Sequence, residues 1–243
     1  KALCLDRCMH LDWRTSVILE NVFQKIHNIP SFLSVSQCRE EVLSNNAIEP
    51  VLIATKGELL DLNISFFSRL NEANLITISI HCRNITTLNI SHTYATSSVV
   101  KTILTHCRQL LVFRAAGCMH INSIAFVAGS ASPGTNLITQ TRLQDVNIQN
   151  CVGLSGTGLG YLARGTNRHL LFLNVSGCIN VTDGALIALS DHCTNLLRLD
   201  VSGNSKITNT GIQALTRGLS QLNSLDVSGL MRLTDLSLSY IGK

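Results

Sequence analysis

Cysteine and histidine are the residue types in this sequence with the most evident chemical potential. The chain has 9 Cys and 8 His in 243 residues, enough for disulfides or a metal site. A loose cluster, Cys4-x3-Cys8-x-His10, stands near the start, and His–Cys pairs recur at 81–82, 106–107 and 192–193. The paired C-x2-C groups of structural zinc sites are absent. Zinc is therefore the weaker of two interpretations, and the spacing of these residues needs another explanation.

A glycine-rich segment, Gly156-Thr-Gly-Leu-Gly160, superficially resembles the phosphate-binding turn of dinucleotide-binding proteins. It lacks the third glycine at the spacing which that turn requires. The G-x-S-x-G, H-E-x-x-H and Walker-type motifs are also absent from the sequence. Because Asp, His and Ser are scattered without a convergent catalytic set, we expect no enzyme, no cofactor and no metal.

The composition bounds the architecture and the class of partner. Hydrophobic residues make up 45% of the chain and charged residues 14%, with a formal net charge of +4. No run of Lys and Arg marks a nucleic-acid or lipid-binding stripe, and no apolar stretch is long enough to span a bilayer. We therefore expect protein partners, not nucleic acid or a membrane. At this length, a single hydrophobic core gives way to two domains or to a repeat array.

A repeat explains the spacing of the apolar residues. The unit is L-x-x-L-x-L-x-x-C, clearest at Leu170/Leu173/Val175/Cys178. Its second leucine, or the Phe or Val in that place, falls at 62, 88, 113, 146, 173, 199 and 225, in steps of 26, 25, 33, 27, 26 and 26. The alternation predicts a short strand in each unit. The helix-start residues and apolar spacing of 182–193, 206–215 and 233–241 predict a helix after it.

The full pattern, which continues with [IVL]-T-[DN]-x-[GA]-[LI] after the cysteine, resembles the cysteine-containing leucine-rich repeat (LRR). That repeat is typical of F-box/LRR proteins and of LRR subunits in axonemal dynein-regulatory complexes. The resemblance implies an α/β solenoid, a curved right-handed coil with a parallel β-sheet on its concave face and helices on its convex face. We expect regular repeats over 59–243, and irregular repeats with a longer helix, from about Trp13 to Ile26, over 1–58.

The resemblance implies two non-enzymatic functions. The first is substrate recognition for a cullin-RING ubiquitin ligase, whose adaptor would be bound by an F-box upstream of this chain. The second is a structural LRR subunit of a large assembly such as the axonemal nexin–dynein regulatory complex, with other axonemal subunits as partners. Both functions share the repeat, so the motif does not separate them.

The repeat assigns eight of the nine cysteines to two structural positions, and leaves Cys4 unexplained. The position that follows the strand holds Cys8, Cys38, Cys118, Cys151 and Cys178. The position at the helix end holds Cys82, Cys107 and Cys193. There a thiol can pack beside the turn and offer a weak S–H donor to a carbonyl. Equivalent positions stack in a column, which disfavours a zinc site because ligands must converge.

The cysteine count also bears on the compartment. An odd total of nine cysteines, eight of them in repeat positions, fits a reducing, intracellular location, in the cytoplasm or the axoneme of a cilium or flagellum. Five N-x-[ST] sequons would suggest glycosylation in a secreted protein; they start at Asn63, Asn84, Asn89, Asn174 and Asn180. Because three of them lie inside the strand motif, we interpret them as by-products of the repeat.

Binding in such an array is expected at strand positions that face the concave surface. The candidate protein-binding residues are Asp61, Asn63, Asn89, Arg114, Asp145, Asn147, Gln149, Phe172, Asn174, Arg198, Asp200 and Asp226. Phe172 and Arg198 should lie one unit apart on adjacent strands, and aromatic and Arg residues are common interface anchors. We predict this pair to be the hot spot of the surface.

Two further expectations concern irregular parts of the chain. The step of 33 predicts an inserted loop at about 129–142, which is either a partner-binding loop or a tolerated insertion. The irregular start and the stop within a repeat suggest a fragment. At its end we expect either more repeats or a partner that covers Leu225, Leu233 and Leu236.

Overall fold

Nine short parallel strands form a single sheet in the part of the chain that the structure describes. The computed structural model describes residues 2–8, 10, 14–25, 30–37, 48–68, 70–127 and 141–241. The strands are β1 (Ala2–Cys4), β2 (Phe32–Ser34), β3 (Asp61–Asn63), β4 (Thr87–Asn89), β5 (Val112–Arg114), β6 (Asp145–Asn147), β7 (Phe172–Asn174), β8 (Arg198–Asp200) and β9 (Ser224–Asp226). They lie in the sheet in chain order, each parallel to its neighbours.

Helices connect the strands and cover the other side of the coil. They are α1 (Arg14–Lys25), α2 (Ile48–Ala54), α3 (Glu72–His81), α4 (Ser97–His106), α5 (Gly156–Thr166), α6 (Asp183–His192), α7 (Asn209–Gly218) and α8 (Asp235–Ile241). A 3₁₀ turn at Ser123–Phe126 follows β5. The predicted α/β solenoid is confirmed. None of the described helices is long and apolar enough to cross a membrane.

Parts of three predictions fall outside the described residues. Trp13 and Ile26, the expected ends of the first helix, lie there, and so does Cys38. Of the predicted inserted loop at 129–142, only 141 and 142 are described.

The core is a stack of equivalent apolar layers. The central residue of each strand points inward and packs against the same residue of the next coil, as Leu173 does with Leu199. In the coil of β7, Leu170, Val175 and Leu189 are fully buried as well. Each coil therefore buries its apolar face against its two neighbours, and truncating one such leucine to Ala costs about 2–5 kcal/mol.

The Thr-[Asp/Asn] pair of the repeat joins successive coils at the helix N-termini. The Asp183 carboxylate accepts hydrogen bonds from the Thr208 backbone N–H at 2.8 Å and from its hydroxyl at 2.7 Å. One coil later, Asn209 accepts from the Thr234 N–H at 3.1 Å and donates to its hydroxyl at 2.8 Å. Because each pair satisfies donors of the next coil, this motif sets the stacking register.

A left-handed residue ends the turn after each strand, four positions beyond the central strand residue. Glycine takes this conformation at Gly117 and Gly203, with φ of +67° and +71°. Phe66 and His92 take it too, with φ of 70° and 58°, at about 1–2 kcal/mol each. Their rings stack with centroids 4.4 Å apart, and the His92 ring lies over Gly117.

We expect Gly117→Ala to destabilise the protein more than the matched change Gly203→Ala. Both substitutions force Ala into a left-handed conformation, at about 1–2 kcal/mol. A Cβ on Gly117 would also lie 2.5 Å from His92 Nδ1, whereas on Gly203 its nearest neighbour is at 3.6 Å. Overpacking should add about 1 kcal/mol or more. Urea unfolding of both variants measures the difference; equal losses would show that the His92 ring moves aside freely.

Candidate protein-binding site

The cysteines that follow the strands form a ladder of hydrogen bonds between coils. Each buried thiol donates to a carbonyl of the preceding coil: Cys118 to Ile90 at 3.3 Å, Cys151 to Ala115 at 3.3 Å and Cys178 to Ile148 at 3.2 Å. Cys8 is only half-buried, and its sulfur lies 3.8 Å from the Asp6 carbonyl. The thiols therefore give these turn carbonyls a second hydrogen bond, since the Ala115 and Ile148 carbonyls also accept the N–H groups of Cys118 and Cys151, at 3.4 and 3.3 Å.

The cysteines at the helix ends are buried in the same way. Cys107 donates to the Cys82 carbonyl at 3.7 Å, and Cys193 to the Ala163 carbonyl at 3.6 Å. Burial raises the pKa of Cys82 to about 12 and the pKa of Cys107, Cys178 and Cys193 to about 11. Because only a thiolate is a good nucleophile or metal ligand, the raised pKa keeps these thiols in the form that donates hydrogen bonds.

The described part of the chain brings no three His, Cys, Asp or Glu side chains together as a possible metal site. It holds eight cysteines, and all are free thiols. Cys4, which the repeat does not explain, is exposed on β1.

Asn204 replaces two cysteines of the ladder. It is fully buried, and its amide donates to the Val175 carbonyl of the preceding coil at 3.0 Å and to the Val201 carbonyl of its own coil at 2.9 Å. In the next coil, Leu230 occupies the cysteine position, and its side chain has no hydrogen-bond donor. Asn204 therefore satisfies the carbonyl that a thiol at position 230 would have taken. Its Oδ1 is buried without a partner.

A shallow open trough of about 530 Å³ crosses strands β5 to β9 on the sheet face. It is lined by Arg114, Asp145, Asn147, Phe172, Leu173, Asn174, Arg198, Leu199, Asp200, Ser224 and Asp226. Eight of the nine residues that we selected as binding candidates on these strands are in this set. The ninth, Gln149, lies in the turn after β6, where its Oε1 is 3.4 Å from Ser176 Oγ. Ser224 completes the lining and was missed.

An ion pair lies at the β5 end of the trough. Arg114 Nη2 is 3.0 Å from Asp145 Oδ2 on the adjacent strand, and both side chains remain partly exposed. Partial burial raises the pKa of Asp61 on β3, and the Arg114 charge opposes this rise. Since such an exposed pair contributes about 1 kcal/mol or less, its guanidinium can rearrange towards a ligand at little cost.

An arginine stacked on a phenylalanine lies at the centre of the trough. Phe172 and Arg198 are directly opposite each other on β7 and β8, and the guanidinium carbon is 5.5 Å from the ring centroid. Such a cation–π contact is worth about 0.5–1 kcal/mol at an exposed site. No described carboxylate forms an ion pair with Arg198, so its N–H donors face the open trough.

The last residue of most strands also accepts hydrogen bonds from the following turn. Asn174 Oδ1 accepts from the Ser176 backbone N–H at 2.9 Å and its hydroxyl at 2.8 Å. Asp200 holds Ser202 in the same way, at 3.0 and 2.7 Å. Asn63, Asn89, Asn147 and Asp226 accept a corresponding backbone bond. The bonds from Ser228 lower the pKa of Asp226.

The sequence carries a signal for these turns, although we did not predict them. The pattern [N/D]-[I/V]-S recurs at 63–65, 89–91, 174–176, 200–202 and 226–228, and a short polar side chain two residues before a serine is typical of an Asx turn. The sequons at Asn63, Asn89 and Asn174 are instances of it. Arg114 occupies the equivalent place on β5 without a turn to hold, so its side chain is available.

Comparisons with known proteins agree with this architecture. The chain is 29% identical over 135 residues to the F-box protein FBX14 of Arabidopsis thaliana, and these residues are 55% of this chain and 21% of that protein. A chain in the crystal structure of the Rad7 and Elc1 complex in yeast superposes with a TM-score of 0.78 and 15% identity, over 100% of this chain and 60% of that one. The structure is a leucine-rich-repeat solenoid, and part of its sequence is similar to an F-box protein. No family model matches it.

These likenesses differ in what they support. At 15% identity, the likeness to the Rad7 and Elc1 complex shows the solenoid fold of this LRR protein. The sequence likeness to an F-box protein covers part of the repeats. Because the chain spans about a fifth of that relative and 60% of the superposed chain, it corresponds to a part of each. Neither of these proteins is named as an axonemal or dynein-associated subunit, so the comparisons lend no support to the axonemal hypothesis.

Proposed function

We propose that this chain is a non-enzymatic substrate-recognition region, which binds a segment of a target protein in the trough for a cullin-RING ubiquitin ligase. The observation that carries the proposal is the Phe172–Arg198 pair at the centre of an open surface on an F-box/LRR-like solenoid. The ligase adaptor would be a second partner. Among the proteins compared, Rad7 forms a complex with Elc1, so an Elc1-like protein is one candidate adaptor.

The chemistry of the trough favours a protein segment of mixed charge. Two arginines and three aspartates line it. The trough therefore lacks the net positive charge that would attract nucleic acid. Phe172 supplies apolar area, and Arg198 supplies donors that the ring holds in place. Interface hot spots commonly combine such aromatic and arginine anchors with a polar rim.

The free thiols support an intracellular location as part of this proposal. Six cysteines of the described chain are buried and none is paired. Five of their S–H groups donate to backbone carbonyls, and oxidation would remove those donors. A reducing compartment preserves this state.

Affinity purification of the full-length protein at its endogenous level, followed by mass spectrometry, tests the ligase proposal. We expect a cullin and its adaptor to be recovered with the protein. Recovery of dynein-regulatory or tubulin-associated proteins without a cullin would overturn the proposal and make the chain a structural subunit.

Replacing Phe172 and Arg198 by Ala should weaken target binding strongly. We expect each single change to raise the Kd by about 30-fold, which corresponds to the roughly 2 kcal/mol of a hot-spot residue. Tyr94→Ala and Arg217→Ala are matched controls, because both side chains are exposed and neither lines the trough. Isothermal titration with a recovered target measures the effect. Equal Kd values for all four variants would exclude the trough as the site.

A further inference from the structure

Four arginines form a column along the edge of the sheet where the strands begin. Arg83, Arg108 and Arg168 stand two residues before the first apolar residue of their repeats, and Arg142 stands one residue before it. In the sequence they are 25, 34 and 26 residues apart, so they do not appear as a basic run. We call these four residues the arginine ridge.

Backbone hydrogen bonds place the four loops side by side. The Leu111 N–H donates to the Thr86 carbonyl at 2.8 Å, the Gln144 N–H to the Leu111 carbonyl at 2.8 Å, and the Leu171 N–H to the Gln144 carbonyl at 2.9 Å. Neighbouring parallel strands lie about 4.8 Å apart. The loops that carry the ridge therefore span about 15 Å.

The guanidinium groups of the ridge are open to solvent and are not paired with carboxylates of the described residues. All four arginines are exposed, and none forms an ion pair with a described residue. Burial raises the pKa of Cys107 to about 11, and the Arg83 charge acts against this rise, so Arg83 lies close to the loop of the next coil. Arg164 and His169, also exposed, add donors beside Arg168.

The helix ends explain only part of this arrangement. Arg83 and Arg108 follow the C-termini of α3 and α4, where a cation is favoured by about 0.3–1 kcal/mol. The same interaction is available at the ends of α6 and α7, yet the equivalent residues are Thr194 and Ser220. At this position in the loop, arginine thus occurs in the four consecutive coils of β4 to β7, although Arg217 still places a cation in the last turn of α7.

We propose that the arginine ridge binds an acidic segment of a partner protein. Guanidinium groups pair with carboxylates in a bidentate manner, and an extended chain covers about 15 Å in about five residues. The loops 82–86, 107–111, 141–144 and 167–171 contain no Phe, Tyr or Trp, so the stacking platforms of single-strand nucleic-acid binding are missing. This surface lies before the strands and is separate from the trough of the proposed function.

Fluorescence anisotropy with two labelled probes of equal charge, decaglutamate and an oligothymidine, tests this proposal. We expect decaglutamate to bind more tightly at low salt and to be released as salt rises. The triple variant Arg83→Glu/Arg108→Glu/Arg168→Glu should weaken this binding about tenfold or more. The matched variant Lys101→Glu/Lys206→Glu/Arg232→Glu, with the same change in net charge, should weaken it less than about threefold.

Three results would overturn the proposal. One is no binding of decaglutamate, and another is an equal loss in both triple variants. The third is tighter binding of oligothymidine that the ridge variant abolishes, which would assign the ridge to nucleic acid. Circular dichroism checks that the variants fold. If the Arg→Glu triple variant does not fold, the milder Arg→Gln triple variant replaces it. Phe172→Ala/Arg198→Ala should leave decaglutamate binding unchanged, which separates this test from that of the trough.

Discussion

The protein should unfold steeply as the pH rises from about 9 to 11, because its buried thiols lose their protons only when it unfolds. Burial raises the pKa of six thiols above their ordinary value of 9.0, those of Cys82, Cys107, Cys118, Cys151, Cys178 and Cys193. Below pH 9 these thiols are protonated in both states, so their contribution to stability is fully present. Above it, the native state binds more protons than the unfolded state, and the free energy of unfolding falls.

The size of this effect follows from the number of thiols. Each one lowers the free energy of unfolding by up to about 1.4 kcal/mol per pH unit between its unfolded and folded pKa. Six together could remove about 8 kcal/mol per pH unit, comparable with the 5–15 kcal/mol total stability of a typical domain. Far-ultraviolet circular dichroism during a pH titration, with refolding on return to neutral pH, measures the transition.

A serine variant separates the thiols from the other groups that titrate in this range. Cys118→Ser/Cys151→Ser/Cys178→Ser keeps a donor for each turn carbonyl and removes three titrating groups. Its transition should lie at higher pH and be about half as steep. A transition with the same midpoint and slope would mean that Lys and Tyr residues cause the alkaline unfolding instead.

Replacing Asn204 by Leu should cost about 2 kcal/mol of stability. The change leaves the Val175 and Val201 carbonyls without the amide donors that now lie 3.0 and 2.9 Å away. An unpaired buried polar group costs about 1–3 kcal/mol. The Val201 carbonyl becomes one, whereas the Val175 carbonyl keeps the Cys178 N–H at 3.2 Å. Urea unfolding measures the loss. A loss below about 1 kcal/mol would show that water reaches these carbonyls.

A double-mutant cycle tests whether Asn204 makes the hydrogen bonds that cysteines at positions 204 and 230 would make. Asn204→Cys should restore a donor for Val175 only, and Leu230→Cys should supply the donor for Val201. The double variant should be more stable than the sum of the single changes predicts, by about 1 kcal/mol or more. It also removes the buried, unpaired Oδ1 of Asn204. Strict additivity would mean that a thiol at 230 does not reach the Val201 carbonyl.

The sequence was sufficient to predict the fold because the same pattern of apolar residues recurs in each repeat. The predicted central residues, from position 62 to 225, each lie at the centre of a strand from β3 to β9. Even the weak copies around Leu3 and Leu33 form strands β1 and β2. Alternation of apolar residues is a local property, so it can be detected without knowledge of how the coils stack.

The sequence was less informative about surfaces made of several coils. It predicted the opposition of Phe172 and Arg198 correctly, because both occupy one strand position. It did not reveal the arginine ridge, since Arg142 is shifted by one residue from the other three. The dual role of Asn204 was also missed, because it depends on what stands at position 230 and on the distance between two carbonyls.

The order of the sheet has a consequence for how the chain folds. Strands β1 to β9 follow one another in the sheet as they do in the sequence, so pairing strands are never more than about one repeat apart. The loop that must close before two coils meet is short, and it stays short however many coils are present. Folding can start at any adjacent pair and spread in both directions. A chain with more coils should therefore begin to fold as quickly as one with fewer.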